Sequence, residues 1–120
     1  MAFADPLVLT VNGVAKNLVR LTSGDNLTSV YRLRGTLDQY DAKIAHKSFV
    51  DKVRGTVNRH SVEIIHTVYP VSPSTVPTIR KTYIVLEETP NDDTTAVQKF
   101  DEAFVALMTN GNITKLLNYE

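Results

Sequence analysis

The side chains able to do chemistry in this 120-residue chain are few and scattered. It has no cysteine, which removes a thiol nucleophile, a thiolate metal site and a disulfide framework. Its three histidines are His46, His60 and His66. His46 and His66 could lie on neighbouring strands, but two imidazoles without a clear third ligand fall short of the three or four that zinc takes. Asp92 and Asp93 stand where a helix is expected to start, so capping is their first use and a Ca²⁺ ion at a subunit contact a minor one. The sequence holds no Gly-rich phosphate loop, HExxH or GxSxG. Its carboxylates show no convergence of the kind general acid and base catalysis needs. We therefore expect no enzyme, no catalytic residue, no cofactor and no metal.

Charge is more informative than chemistry. Thirteen basic and thirteen acidic residues cancel overall, which argues against an unselective polyanion binder. Residues 1–81 nevertheless hold eleven Lys or Arg against six Asp or Glu, and residues 82–120 hold two against seven. If the front forms a sheet and the tail forms helices, one surface could face a polyanion while the other faces protein or solvent. Arg32 and Arg34 are candidates for that contact, as are Lys52 and Arg54 from a loop; ordinary solvation explains each equally well. The start of the chain lacks a basic segment followed by a long apolar one, and no stretch reaches the roughly 20 apolar residues a bilayer requires. A soluble single domain over residues 1–120 is expected.

The elements that position these residues follow from periodicity. Leu7 to Val11 is a short β-prone run closed by Asn12-Gly13, a strong hairpin signal, and Ala15 to Thr22 can return from it. A turn is expected at Ser23-Gly24-Asp25-Asn26. Leu27 to Arg34 alternates Ser29/Tyr31/Leu33 against Val30/Arg32/Arg34. After a connection over Gly35 to Gln39, a strand from Tyr40 to Ser48 sets Asp41, Lys43, Ala45 and Lys47 against Ala42, Ile44 and His46. Phe49 to Val57 reads either as strand extension or as a hairpin loop. Asn58 to Tyr69 is a longer strand, with Val62, Ile64, His66 and Val68 on one side and Ser61, Glu63, Ile65, Thr67 and Tyr69 on the other.

Pro70, Pro73 and Pro77 then break the ladder, because proline cannot donate its hydrogen bond. Thr78 to Glu88 resumes alternation. Past Pro90 the period becomes helical: Thr95 and Gln98 have capping-box spacing, and Val97, Phe100, Phe104, Leu107 and Met108 form an apolar stripe. Asn110-Gly111 is expected to stop this helix, and Ile113, Leu116 and Leu117 allow a second short one. The fold class is α+β, an N-terminal hairpin and antiparallel sheet followed by two C-terminal helices. A helix of about 15 residues is roughly 22 Å long, too little to cover a wide sheet from one chain alone. Exchange of helices between two copies is a natural remedy, although a helix folded back on its own sheet remains physically allowed.

This order of elements resembles the coat proteins of small single-stranded RNA bacteriophages, the levivirus-like coat protein family. The similarity spans essentially the whole chain and is strongest at Val62 to Pro70, Arg80 to Leu86 and the helix beginning near Thr95. It implies an intertwined homodimer whose two sheets join into one, with the helices crossing its outer side. Such dimers build a quasi-equivalent icosahedral shell around the RNA genome, a virion assembled in the bacterial cytoplasm without a membrane. Val97, Phe100, Phe104, Leu107 and Met108 would pack helix on sheet. Val71, Ser72, Pro73, Ser74, Thr75 and Val76 would form the loop between dimers.

The resemblance also implies RNA binding on the inner sheet face, and in several relatives repression of translation through one RNA hairpin. Carried over residue by residue, that face holds Lys43, Ala45 and Lys47, with Lys81, Tyr83, Val85 and Glu87. Tyr83 matches a tyrosine that stacks on an unpaired base, and the lysines would attract phosphates. Ala45 and Val85 depart from relatives that use hydrogen-bonding side chains there. For residues 58–69 two phases stand open: polarity favours Ser61, Glu63, Thr67 and Tyr69 toward RNA, whereas alignment from Pro70 favours Ile64, His66 and Val68. Two other readings use the same residues. One is a non-viral dimeric RNA-binding module that forms no shell, and the other is a shell protein whose assembly ignores Lys43, Lys47, Lys81 and Tyr83.

Overall fold

Asn12 and Gly13 take φ values of 50° and 78°, the paired positive angles of a type I′ turn, and fold strand β1 (Leu7–Val11) back on β2 (Val14–Thr22). The structure is a computed structural model that describes residues 3–22 and 27–120; the turn expected at residues 23–26 lies outside them. Four further strands follow: β3 (Thr28–Arg34), β4 (Asp38–Asp51), β5 (Gly55–Val68) and β6 (Thr78–Glu88). All six lie side by side in sequence order, each antiparallel to the next. The ambiguous segment 49–57 extends both β4 and β5 around a tight turn, giving two strands of 14 residues. Asp51 makes that turn: its Oδ1 accepts the backbone N–H groups of Val53 at 2.8 Å and Arg54 at 3.1 Å, and Gly55 follows at φ +79°.

Residues opposed across a ladder share a face, so the register divides every strand. One face is apolar. Leu18, Tyr31, Tyr40, Ala42 and Ile44 are buried there, and Leu7, Leu9, Val11, Leu33, Val62 and Ile64 pack around them. A register shift between Arg20 and Thr22 bends β2, as bulges do, and the β1–β2 hairpin curls over this core face. Lys16 Nζ thereby comes within 5.8 Å of the Tyr40 ring, which belongs to a strand two positions away in the sheet. Val57, also fully buried, lies on the other face, opposite Phe49.

The histidines are structural partners on the core face. His66 stacks on Tyr40 with ring centroids 4.1 Å apart, and its Nε2 meets Asp38 Oδ2 at 2.8 Å while Arg80 donates to its Nδ1 at 3.0 Å. His46 and His66 do lie on neighbouring strands, β4 and β5, but not against each other: the His46 Nδ1 lies 2.8 Å from that of His60, whose Nε2 meets Glu88 at 3.0 Å. Register decides this, because His46 is opposed to His60 and Tyr40 to His66.

Two helices follow, α1 (Thr94–Leu107) and α2 (Asn110–Leu117). The cap of α1 is Asp93 rather than a box on Thr95: the Asp93 carboxylate accepts the Thr95 N–H at 3.1 Å, and Gln98 bonds Glu102 instead. Asn110-Gly111 does not end α1 but opens α2, because Thr109 caps the Asn112 N–H at 3.3 Å and captures that turn first. Neither helix buries a single residue.

That exposure registers in the shape of the whole chain. Its accessible surface is 9307 Å², against about 6,500 Å² for a compact monomer of its 13.4 kDa mass. Its radius of gyration is 17.1 Å, against about 14 Å for a compact domain of this length.

Candidate nucleic-acid interface

The face opposite the core is the one that the polar halves of the strand alternations define. Rows of opposed residues cross it from β3 to β6: Arg32, Asp41, Ile65 and Lys81; then Val30, Lys43, Glu63 and Tyr83; then Thr28, Ala45, Ser61 and Val85; then Lys47, Arg59 and Glu87. Arg34 and Gln39 lie at one end. All eleven candidate residues, Arg32, Arg34, Lys43, Ala45, Lys47, Ser61, Glu63, Lys81, Tyr83, Val85 and Glu87, thus come to one open surface.

The phase of β5 is settled by its partners. Ser61 is opposed to Ala45 and Val85, and Glu63 to Lys43 and Tyr83, so this set and Thr67 lie on the open face. Ile64, His66 and Val68 lie on the core face, where Ile64 packs and His66 stacks. Tyr69, just beyond the strand, reaches back with its hydroxyl to Gln39 at 3.2 Å. Arg59 is the residue the sequence reading missed. Its signal was present, since it keeps the two-residue period of Ser61 and Glu63, and it stands directly opposite Lys47.

Ion pairs sort the charges. Six basic side chains, Arg32, Arg34, Lys43, Lys47, Arg59 and Lys81, share the face with Asp41, Glu63 and Glu87 and, at the β4–β5 turn, Asp51. Arg32 holds Asp41 at 2.6 Å, Lys81 holds Glu63 at 3.4 Å, and Arg54 reaches in from the β4–β5 turn to hold Glu87 at 3.0 Å. Arg34 donates to neutral Gln39 at 3.2 Å. Hydrogen bonds to Asp51 and Glu87 push the Arg54 guanidinium above its ordinary pKa. The backbone N–H groups of Val53 and Arg54, then the Arg54 side chain, hold the Asp51 carboxyl below its ordinary value. Lys43, Lys47 and Arg59 make no ion pair among the described residues.

Tyr83 supplies the flat apolar element of this surface. It is 64% exposed, and Lys81 Nζ sits 5.8 Å from its ring centroid, close enough for a cation–π contact. An exposed ring flanked by a cation can take an unstacked base on its face.

A second surface lies along the helices. Phe100 is 77% exposed, Phe104 48% and Leu117 74%; Leu107 is exposed, and Val97 and Met108 are half-buried. Between α1 and β6 runs an open groove lined by Val85, Leu86, Phe100, Ala103, Phe104 and Leu107. Among the described residues the outer edge of β6 pairs with no strand, so its backbone groups face outward beside that groove. The proline-rich loop over residues 69–77 carries no ladder, and Val71 to Val76 are all exposed. Among the described residues no helix is long and apolar enough to cross a membrane.

A family model described as phage phiCb5, coat protein, matches residues 4–89, from just before β1 to just after β6. No curated protein matches the chain.

Proposed function

The chain belongs to the phage phiCb5 coat protein family, a structural and not an enzymatic one, and from that premise we propose that it dimerises, closes into an icosahedral shell and holds single-stranded RNA on its open face. As a phage coat protein it is a virion component. The finer placement among levivirus-like coats is our reading, supported by the order of hairpin, meander, proline-rich loop and helical tail. Assembly in the bacterial cytoplasm belongs to the same reading.

The observation that carries the proposal is the unsatisfied surface. The chain exposes about 2,800 Å² more than a compact monomer of its mass, about 5,600 Å² over two copies, at the upper end of the total area that permanent dimers bury. The excess gathers where a second copy can remove it, on the bare edge of β6 and the apolar sides of α1 and α2. In the proposed dimer, two β6 edges pair into one sheet and each tail covers the other chain's core face. The open face is then left toward the interior, with Tyr83 and the free cations turned to RNA.

Repression through a specific hairpin finds less support on this face. The row beside Tyr83 offers Ala45 and Val85, which cannot read a base edge, and only Ser61 and Thr28 as hydroxyls. The Val71 to Val76 loop, exposed and free of ladder bonds, suits contacts between dimers.

Purified full-length chain examined by light scattering after size exclusion and by electron microscopy tests the proposal. Uniform particles, or a dimer that closes into them when RNA is added, is the expected result. A persistent monomer at low salt with RNA present would overturn it.

A further inference from the structure

Two imidazoles meet on the core face with ring nitrogens aimed at each other. His46 on β4 is directly opposed to His60 on β5, and their Nδ1 atoms stand 2.8 Å apart. A carboxylate only accepts hydrogen bonds, so the 3.0 Å contact between His60 Nε2 and Glu88 places the proton of neutral His60 on Nε2. Its Nδ1 is then a bare lone pair, and His46 supplies the proton between the rings. A carboxylate behind an imidazole is also the arrangement that orients metal-binding histidines and makes them better donors. The row of the pair runs His46, His60 and Leu86, and the next runs Ser48, Asn58 and Glu88, so neither places a Lys or Arg against an incoming cation.

We propose that His46 and His60 form a binding site for a divalent transition-metal ion that takes its ligands at right angles, copper(II) foremost. The spacing selects the ion. Two nitrogens 2.8 Å apart, each bonded at about 2.0–2.1 Å, subtend about 84–89° at the metal. That is the angle between adjacent ligands in a square-planar or tetragonal site, the geometry of copper(II) and nickel(II) with nitrogen and oxygen donors. Tetrahedral zinc would need the nitrogens about 3.3–3.4 Å apart, together with further protein ligands. Among the described residues no third metal-ligating side chain joins the pair, so water completes the coordination. His46 is exposed and His60 half-buried, which leaves room for that water, while Phe3, Ile44, Val62, Ile84 and Leu86 wall the recess beside them. To admit the ion, His46 moves its proton from Nδ1 to Nε2, and the rings turn until both lone pairs converge. Glu88 keeps its hydrogen bond and offsets part of the charge. His66 offers no such site, because Asp38 at 2.8 Å and Arg80 at 3.0 Å occupy both its nitrogens. The open face takes no part, and a bound ion would tie β4 to β5 across the ladder.

The test titrates copper(II) alone into the full-length protein in a weakly coordinating buffer and counts imidazole nitrogens on the bound ion by pulsed electron paramagnetic resonance. One copper per chain carrying two imidazoles is the expected result, with nickel(II) and zinc(II) bound more weakly. Glu88→Gln should lower copper affinity by about tenfold or more, and His46→Ala and His60→Ala should each lower it further and leave at most one imidazole on the ion. The double variant, which keeps only His66, should show no imidazole-bound copper. The resonance spectrum of wild type needs no variant, so a substitution that disturbs folding does not decide the outcome. Copper carrying one imidazole or none in wild type overturns the site, as does an affinity unchanged in both single variants. An imidazole signal that survives in the double variant would move the site to His66, and tighter binding of zinc than of copper would overturn the right-angled geometry.

Discussion

The first five strands and the last third of the chain obey different economies. Every buried residue, from Leu18 to Val57, precedes β6, whereas from Pro70 onward none is buried. Both parts have strong apolar periodicity. In the first it is spent within the chain: β1 and β2 curl over Tyr31, Tyr40, Ala42 and Ile44 and close a small core. In the second, Phe100, Phe104, Leu107, Leu116 and Leu117 stay exposed on helices that bury none of their residues. Apolar side chains in water without a partner cost free energy, so a regular stripe that stays exposed marks a surface completed by another molecule. The family match runs through the first five strands and β6 and ends at residue 89, five residues before α1.

The contrast is broken most directly by a charge on the stripe. Phe104→Asp should abolish the proposed dimer, because a carboxylate forced into an apolar contact costs about 4 kcal/mol or more, roughly a thousandfold in dissociation constant. Sedimentation velocity reads the mass, and an unchanged dimer would place Phe104 outside the contact. A cavity in the first region should act differently. Leu18→Ala removes a fully buried side chain and should cost about 2–5 kcal/mol in urea unfolding at fixed protein concentration. If Leu18→Ala instead dissociates the dimer without lowering the unfolding midpoint, the two regions are not separate.

Much of this division was legible beforehand. Asn12-Gly13 and the clean alternation of residues 27–34 and 40–48 gave strands with the right faces, and the change of period after Pro90 gave the helices. The rest depended on competition that local pattern does not decide. Residues 58–69 carry isoleucine on both phases, at 64 and 65, so only the pairing of Ser61 with Ala45 chooses a face. Arg59 followed the same period but lay at the edge of the expected strand, which in fact begins at Gly55. Asp92, Asp93, Thr94 and Thr95 can all cap a helix, and the choice of Asp93 depends on backbone angles near the turn. The histidines needed the cross-strand register before their partners could be named.

Tyr83 tests the inner side of the second region. It sits on β6, exposed on the open face, and its ring supports no core. Tyr83→Ala should weaken RNA binding by about 1–3 kcal/mol, roughly 5- to 150-fold, while particles still form. Titration of a short single-stranded RNA with parallel electron microscopy separates the two effects. Loss of particles together with binding would make Tyr83 part of assembly and blur the boundary between the region's two surfaces.

The smallest effect belongs to the turn that joins the two longest strands, where the first region meets the open face. Backbone hydrogen bonds from Val53 and Arg54, aided by the Arg54 side chain, hold Asp51 below its ordinary pKa of 3.8. A depressed carboxyl lends stability that is fully present above its unfolded value and drains away as pH falls through the lower folded one. Asp51→Asn should therefore melt below wild type at pH 5 and above, and the gap should narrow below about pH 4. Because Asp51 also orients Arg54, which neutralises Glu87 at 3.0 Å, the same variant should leave Glu87 freer to answer Arg59 and so weaken RNA binding slightly at neutral pH. Thermal melts across pH together with RNA titrations at several salt concentrations check both parts. A gap that widens in acid would assign the turn's stability to something other than this carboxylate.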